Sequence, residues 1–319
     1  MATMPAKSTQ GCSALPDVRA ALRFGIGRLR RANVPSATLA AELLLMHSIG
    51  RDRAWIYAHP EVVLTAAEAQ AYFGLLDRRA AGEPTQYLTG KQEFWGLDFE
   101  VTPAVLIPRP ETEHVIEVAL ERFGEELGIK INMRTGSPTA RLRIADVGTG
   151  SGCIAVALAH ELPHAEIVAT DMSEDALEIA RRNAARHGAA DRIRFIRTDL
   201  LAELLDPTHE PELFDLIVSN PPYVAENDAR DLPREVRDHE PASALFGGPT
   251  GIEVYERLIE QSAELLAPRG VLVLELGYNC ADGVRAIMSR QRVWVNVSVT
   301  NDLAGIPRVI AAERARDSK

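Results

Sequence analysis

The sequence predicts an α/β protein: a mostly parallel sheet of seven strands covered by helices, preceded by a small all-helical segment. Three observations predict it. From Arg143 onward, apolar runs such as Phe214–Ser219 and Gly270–Leu276 alternate with amphipathic helical stretches, the pattern of strands buried on both faces. A glycine-rich turn, Asp146-Val147-Gly148-Thr149-Gly150-Ser151-Gly152, joins the first of these strands to a helix. Before Ala81, apolar residues recur only at helical spacing.

Each element follows from local pattern. Leu15, Val18, Leu22, Ile26 and Leu29 mark a first helix, with Arg28, Arg30 and Arg31 on a solvated face. Ser36 is placed to cap a second, whose apolar side is read as Leu39, Leu43, Met46 and Ile49. Thr65 with Glu68 forms a capping-box pattern opening a third through Tyr72, Phe73 and Leu76. From Glu83 to Pro110, β-branched and aromatic residues with turn sites at Thr89–Gly90 and Trp95–Gly96 predict a hairpin-like connector. A helix over Glu111–Phe123 follows, then a polar segment, 125–142, with the texture of a surface linker. The remaining strands are expected at Arg143–Val147, Glu166–Thr170, Ile193–Arg197, Phe214–Ser219, Gly270–Leu276, Val293–Val299 and Arg308–Ala312. Helices are expected at Cys153–Glu161, Glu174–His187, Ile252–Leu266 and Ala281–Arg290.

A chain of 319 residues exceeds one typical domain. The expected division is a helical domain over 1–82, a hairpin connector over 83–110 and the sheet domain over 111–319. With 46% apolar and 25% charged residues the composition is that of a globular protein, and no run is long and apolar enough for a membrane span. Three cysteines without close pairing and a start lacking an apolar signal region point to a cytoplasmic protein, read as a monomer. The net charge of −10 is concentrated after residue 110, where 35 acidic residues face 23 basic ones. Such a domain lacks the net basic face that tracks a phosphate backbone, so no direct nucleic-acid substrate and no membrane partner are expected.

The glycine turn implies a ligand. Glycines let the backbone turn sharply and let a ligand approach it, and Asp171, at the end of the next strand, can bind both hydroxyls of a ribose. Asp199 ends the third strand, where its oxygen could accept from an adenine amino group. The spacing G-x-G-x-G suits a nucleoside ligand better than the G-x-G-x-x-G of a dinucleotide site, though a purely structural turn also satisfies it.

A second constellation, Asn220-Pro221-Pro222-Tyr223, follows the strand Phe214–Ser219. Strand ends of such sheets face the ligand crevice. The two prolines remove N–H donors, the Asn220 side-chain oxygen and the Pro221 carbonyl can accept from one NH₂ group, and Tyr223 offers a flat face to a planar amide or base. That arrangement suits methyl transfer to an amide or exocyclic amine nitrogen. His160-Glu161-Leu162-Pro163-His164 matches H-E-x-x-H literally, but Pro163 would break the helix a zinc site needs, and no metal is expected. Cys153 is read as a small buried side chain.

These residues resemble the protein-(glutamine-N5) methyltransferases of peptide chain release factors, the PrmC/HemK family. The resemblance covers nearly the whole chain. It rests on Gln86-Tyr87 with Gly90, Leu106-Ile107-Pro108-Arg109-Pro110-Glu111-Thr112-Glu113, Asp146 to Gly152, Asn220 to Tyr223, Glu240-Pro241 with Ala244-Leu245 and Gly247-Gly248, Glu275 with Gly277, and Asp302 to Gly305. It implies a class I S-adenosylmethionine-dependent methyltransferase fold, Rossmann-like, behind a helical domain that helps hold the release factor. It also implies methylation of the glutamine in that factor's Gly-Gly-Gln loop. By motif, Gly148, Thr149, Gly150, Ser151 and Gly152 would line the methionine part of the cofactor, Asp171 would bind its ribose, and Asp199 and Leu200 would lie beside adenine. Asn220, Pro221, Pro222 and Tyr223 would hold the glutamine. Cys280 and Thr250 depart from the family's usual glutamine and aspartate. A glutamine methyltransferase of a ribosomal protein shares the tetrad, and a DNA or RNA amino methyltransferase is the more distant alternative.

Overall fold

The computed structural model describes residues 15–126, 142–208 and 212–316. They form two compact units, Met1–Thr89 and Gly90–Lys319. Cys12 and nearly all of the 125–142 segment lie outside the described residues.

The first unit holds α1 (Val18–Arg31), α2 (Ala37–Ile49), α3 (Arg53–Ala58), α4 (Ala66–Ala81) and α5 (Thr85–Thr89). Asp17 caps α1 through the Ala20 N–H, and the Thr65–Glu68 capping box opens α4 with both reciprocal bonds made. Ser36 sits at the start of α2 but in a left-handed conformation with no side-chain cap, so the expected cap is not formed. The face of α2 also differs from expectation. Leu39 and Leu43 are exposed, and Ala40, Ala41, Leu44 and Leu45 are buried. This helix is apolar nearly all round, so its own pattern cannot choose a face; packing of the small Ala40 and Ala41 beside α1 and α4 chooses it. Among the predicted exposed arginines, Arg28 pairs with Asp77 of α4.

The second unit begins with a hairpin, β1 (Lys91–Phe94) and β2 (Leu97–Glu100). Its two-residue turn is Trp95–Gly96, both at positive φ, as a type I′ turn requires. After it come α6 (Glu113–Glu126), β3 (Leu142–Val147), α7 (Cys153–Glu161), β4 (Ala165–Asp171), α8 (Glu174–Arg186), β5 (Ile193–Arg197) and β6 (Phe214–Ser219). Then follow β7 (Val224–Ala225), α9 (Arg234–His239), β8 (Phe246–Gly248), α10 (Glu253–Leu265), β9 (Leu266–Glu275), α11 (Ala281–Ser289), β10 (Trp294–Asn301) and β11 (Pro307–Arg314).

Seven strands form the central sheet in the order β10-β11-β9-β6-β3-β4-β5. The five from β9 to β5 are parallel; β11 runs antiparallel between β9 and β10. Alternate residues of each strand point to opposite faces. Ile144, Ile167, Leu216 and Val218 pack with α6, α7 and α8, whereas Ala145, Val168 and Ile217 pack with α10 and α11. The chain passes from β3 to β4 on one side of β3 and places β6 on the other. That reversal opens a crevice at the strands' C-terminal ends. No helix of the described residues is long and apolar enough to cross a membrane.

Candidate active site

The crevice holds a cavity of about 370 Å³, within the size range of small-molecule sites. Its walls come from five places: the loop 104–112, the glycine turn after β3, the ends of β4 and β5, the tetrad after β6, and the segment 241–257.

At the turn, Gly148, Gly150 and Gly152 all adopt positive φ. Space beside the Cα of Gly148 and Gly150 is open, so a ligand can lie against the backbone there. Gly152 does something else. It starts α7, a Cβ on it would meet Ala180 of α8 at 3.1 Å, and it is not among the cavity's lining residues. Beneath the turn, the wholly buried Asp146 accepts from the Thr149 hydroxyl (2.6 Å) and the Ala155 N–H (3.0 Å). Burial pushes its carboxyl up to about 7. On α8, the buried Asn183 donates to the carbonyls of Ser151 and Glu100 and accepts from the Glu100 N–H, tying the hairpin to the turn.

Asp171 ends β4 facing the cavity. Its two oxygens accept from the Gly150 and Ser173 N–H groups, both at 2.9 Å, and burial raises its pKa. Asp199 lines the cavity beyond β5, with one oxygen engaged by Arg257 of α10. Leu200 beside it holds φ at 54°.

Asn220 and Pro222 line the cavity; Pro221 is buried and, like Tyr223, is not among the lining residues. The Tyr223 ring packs against Gly277, where a Cβ would fall 2.6 Å from it, and its hydroxyl points to the Glu275 carboxylate at 3.4 Å. Burial raises the Tyr223 pKa. Behind the tetrad, the Val224 N–H donates to the Leu245 carbonyl, and Gly247 lies so near that a Cβ on it would stand 2.5 Å from the Pro222 oxygen.

Several participants carried no assigned role in the sequence. Glu275, wholly buried at the end of β9, accepts from the Thr112 hydroxyl at 2.6 Å, and Thr112 accepts from the Asn220 amide nitrogen at 3.0 Å. Burial pushes the Glu275 carboxyl up to about 7. Glu240, also buried, binds Arg109 and accepts from the Ile107 N–H, fixing the 104–112 loop over the cavity. The signal that could have found them is a carboxylate inside apolar surroundings: Glu275 closes the run Val271–Leu274, where an unpaired charge is costly.

The remaining signals resolve simply. Helix α7 stops at Glu161, ahead of Pro163, so His160 and His164 do not share a helical face. Cys153 is buried, and burial pushes its thiol up to about 12.

Residues 20–90 match the PrmC N-terminal domain, and residues 130–235 match the methyltransferase small domain. A release factor glutamine methyltransferase of Koribacter versatilis is 46% identical over 93% of this chain and 98% of its own length. One from Bradyrhizobium diazoefficiens is 42% identical over 93% and 95%. Among solved structures, the hMettl16 catalytic domain in complex with a MAT2A 3′UTR hairpin superposes with a TM-score of 0.54 at 18% identity, covering 77% of this chain and 85% of that one, a likeness of fold. With that identity sustained along almost its full length, the chain belongs to the release factor glutamine methyltransferase family.

Proposed function

We propose that this protein methylates the side-chain amide nitrogen of the glutamine in the Gly-Gly-Gln motif of peptide chain release factors, using S-adenosylmethionine. The observation that carries the reading is that the glycine turn, Asp171 and Asn220 line one cavity. Membership of the family supplies the substrate class.

The residues fit the cofactor. Backbone at Gly148 and Gly150 is open to contact, and the buried Ser151 hydroxyl in the cavity wall has no hydrogen-bond partner among the described residues. Gly148 to Ser151 would hold the methionine portion, Asp171 the ribose, and Asp199 and Leu200 the adenine. Gly152, expected to line the same portion, lies off the cavity wall and seats α7 against α8. Bound S-adenosylmethionine supplies an electrophilic methyl carbon on a sulfonium.

The protein's own work is on the amide. A glutamine nitrogen is a poor nucleophile because its lone pair is delocalised; losing that resonance costs on the order of 18–20 kcal/mol. The Asn220 oxygen and the Pro221 carbonyl would accept its two N–H bonds, favouring the pyramidal nitrogen of the transition state. Pro222 and Tyr223 stiffen and back this clamp. Holding the nitrogen in line could contribute about 7–11 kcal/mol. The surplus proton leaves to water.

The domain read over 1–82 would help hold the release factor, 83–110 would serve as connector, and 111–319 as the transferase domain. The acidic balance of the last supports a protein substrate over a nucleic acid, and the protein is read as a cytoplasmic monomer. Peptide mass spectrometry after incubation with S-adenosylmethionine and a purified release factor tests the reading. A methyl on the Gly-Gly-Gln peptide, lost with Asn220→Ala, is expected; methylation of a ribosomal protein instead would overturn the substrate.

A further inference from the structure

An asparagine side chain is ambiguous. Its amide presents an oxygen on one side and an NH₂ on the other, and only the first suits the chemistry proposed above. A clamp on a substrate NH₂ group needs acceptors; Asn220 turned by half a rotation would set donor against donor. Something must hold the amide one way round.

The structure contains a chain of hydrogen bonds able to do so. Thr112 is 2% exposed and Glu275 is 1% exposed, so water does not compete with them. Above about pH 7 the Glu275 carboxyl is ionised and only accepts. The single Thr112 proton therefore goes to Glu275 at 2.6 Å, and the Thr112 oxygen is left as an acceptor. The group it accepts from at 3.0 Å must be the Asn220 NH₂. The Asn220 oxygen is then the end that remains, and it has no hydrogen-bond partner among the described residues. Tyr223 donates to the other Glu275 oxygen, and the Tyr255 hydroxyl donates to the Glu275 backbone carbonyl while accepting from the Gly277 N–H. The carboxylate is thus held from two sides, and Tyr255 holds the backbone behind it.

We propose that Thr112 and Glu275 are positioning residues that set the polarity of the Asn220 amide, so that the site offers acceptors to a substrate amide. This rests on the assignment of Asn220 to the substrate clamp. The polarity also discriminates. A glutamine side chain brings an NH₂ to two acceptors, whereas a glutamate would bring a carboxylate and meet like charge density.

The test compares Thr112→Val, Thr112→Ser and the doubly apolar T112V/E275L with wild type and Asn220→Ala. Each is assayed for methyl transfer to a purified release factor and titrated calorimetrically with S-adenosylhomocysteine. T112V/E275L leaves no buried carboxylate without a partner, so it keeps the fold while removing the relay. The expected result is a fall in kcat of about 10- to 100-fold for T112V and T112V/E275L, with KM and homocysteine-ligand affinity changed less than about threefold. T112S, which restores a hydroxyl, is expected to recover kcat to within about fivefold of wild type. T112V/E275L at wild-type kcat with Asn220→Ala inactive would overturn the relay alone. Full activity of Asn220→Ala would overturn the clamp on which it rests. Loss of homocysteine-ligand binding in T112V and T112S alike would mean a role in folding, and overturn it as well.

Discussion

Asp171 carries two backbone N–H groups on its carboxylate and turns toward the cavity where a ribose would lie. Replacing it with alanine removes a charge-assisted interaction worth about 1.5–3 kcal/mol, so S-adenosylhomocysteine should bind about 10- to 100-fold more weakly by calorimetry, with release-factor affinity unchanged. At this scale, the residues legible in the sequence are those marked by a contiguous motif: Gly148, Thr149, Gly150, Ser151 and Asn220 all sit at strand ends and line the cavity. Thr112, Arg109, Glu240 and Glu275 belong to the segments that resemble the family, but the sequence alone gives them no role. Their partners stand more than a hundred positions away: Thr112 finds Glu275 and Arg109 finds Glu240 only once the sheet has formed. A sequence read locally shows that a buried carboxylate exists, not what satisfies it.

The glycine-bearing strand β8 braces the tetrad from behind, leaving no room at Gly247. Gly247→Ala must move the Pro222 carbonyl, and methyl transfer should fall by at least about tenfold while the melting temperature drops only modestly, because the strain falls on one short strand pair. A kinetic assay with a thermal melt on the same sample checks both. In the helical unit, Thr65→Ala removes one half of a capping box and should cost about 1 kcal/mol, read from the urea midpoint. Both the capping box and the Trp95–Gly96 turn were readable because their determinants are contiguous. So were strands such as Ile193–Arg197 and Phe214–Ser219 and the helix Cys153–Glu161, whose bounds agree residue for residue. The short α3, α5 and α9 were not, since five or six residues carry too little periodicity, and α2 misled because apolar residues surround it.

For the whole molecule, pH is the accessible lever. Asp146 and Glu275 each hold a proton up to about 7 in the folded chain, whereas free carboxyls ionise near about 4. Between those values the folded state binds more protons than the unfolded one, so these groups stabilise most at the acid end and lose that contribution as pH rises through about 7. Melting temperatures should fall from about pH 5 to about pH 8, and Asp146→Asn should flatten the slope; a flat wild-type profile would contradict the burial argument. The strand alternation predicted a parallel sheet, and the order of its strands became visible only in three dimensions, because pairing is set by which faces the crossover helices cover.

That order has a consequence for synthesis. The interior strand β11, with Val309, Ile310, Ala311 and Ala312 buried, bonds to β9 on one side and β10 on the other. A ribosome delivers β3, the glycine turn and the tetrad well before it delivers β11. Until Arg314 has cleared the exit tunnel, the β9 edge stays open as a template for pairing with other chains. A transcript broken ahead of the Arg308 codon would therefore encode every proposed catalytic group and still yield a product that aggregates.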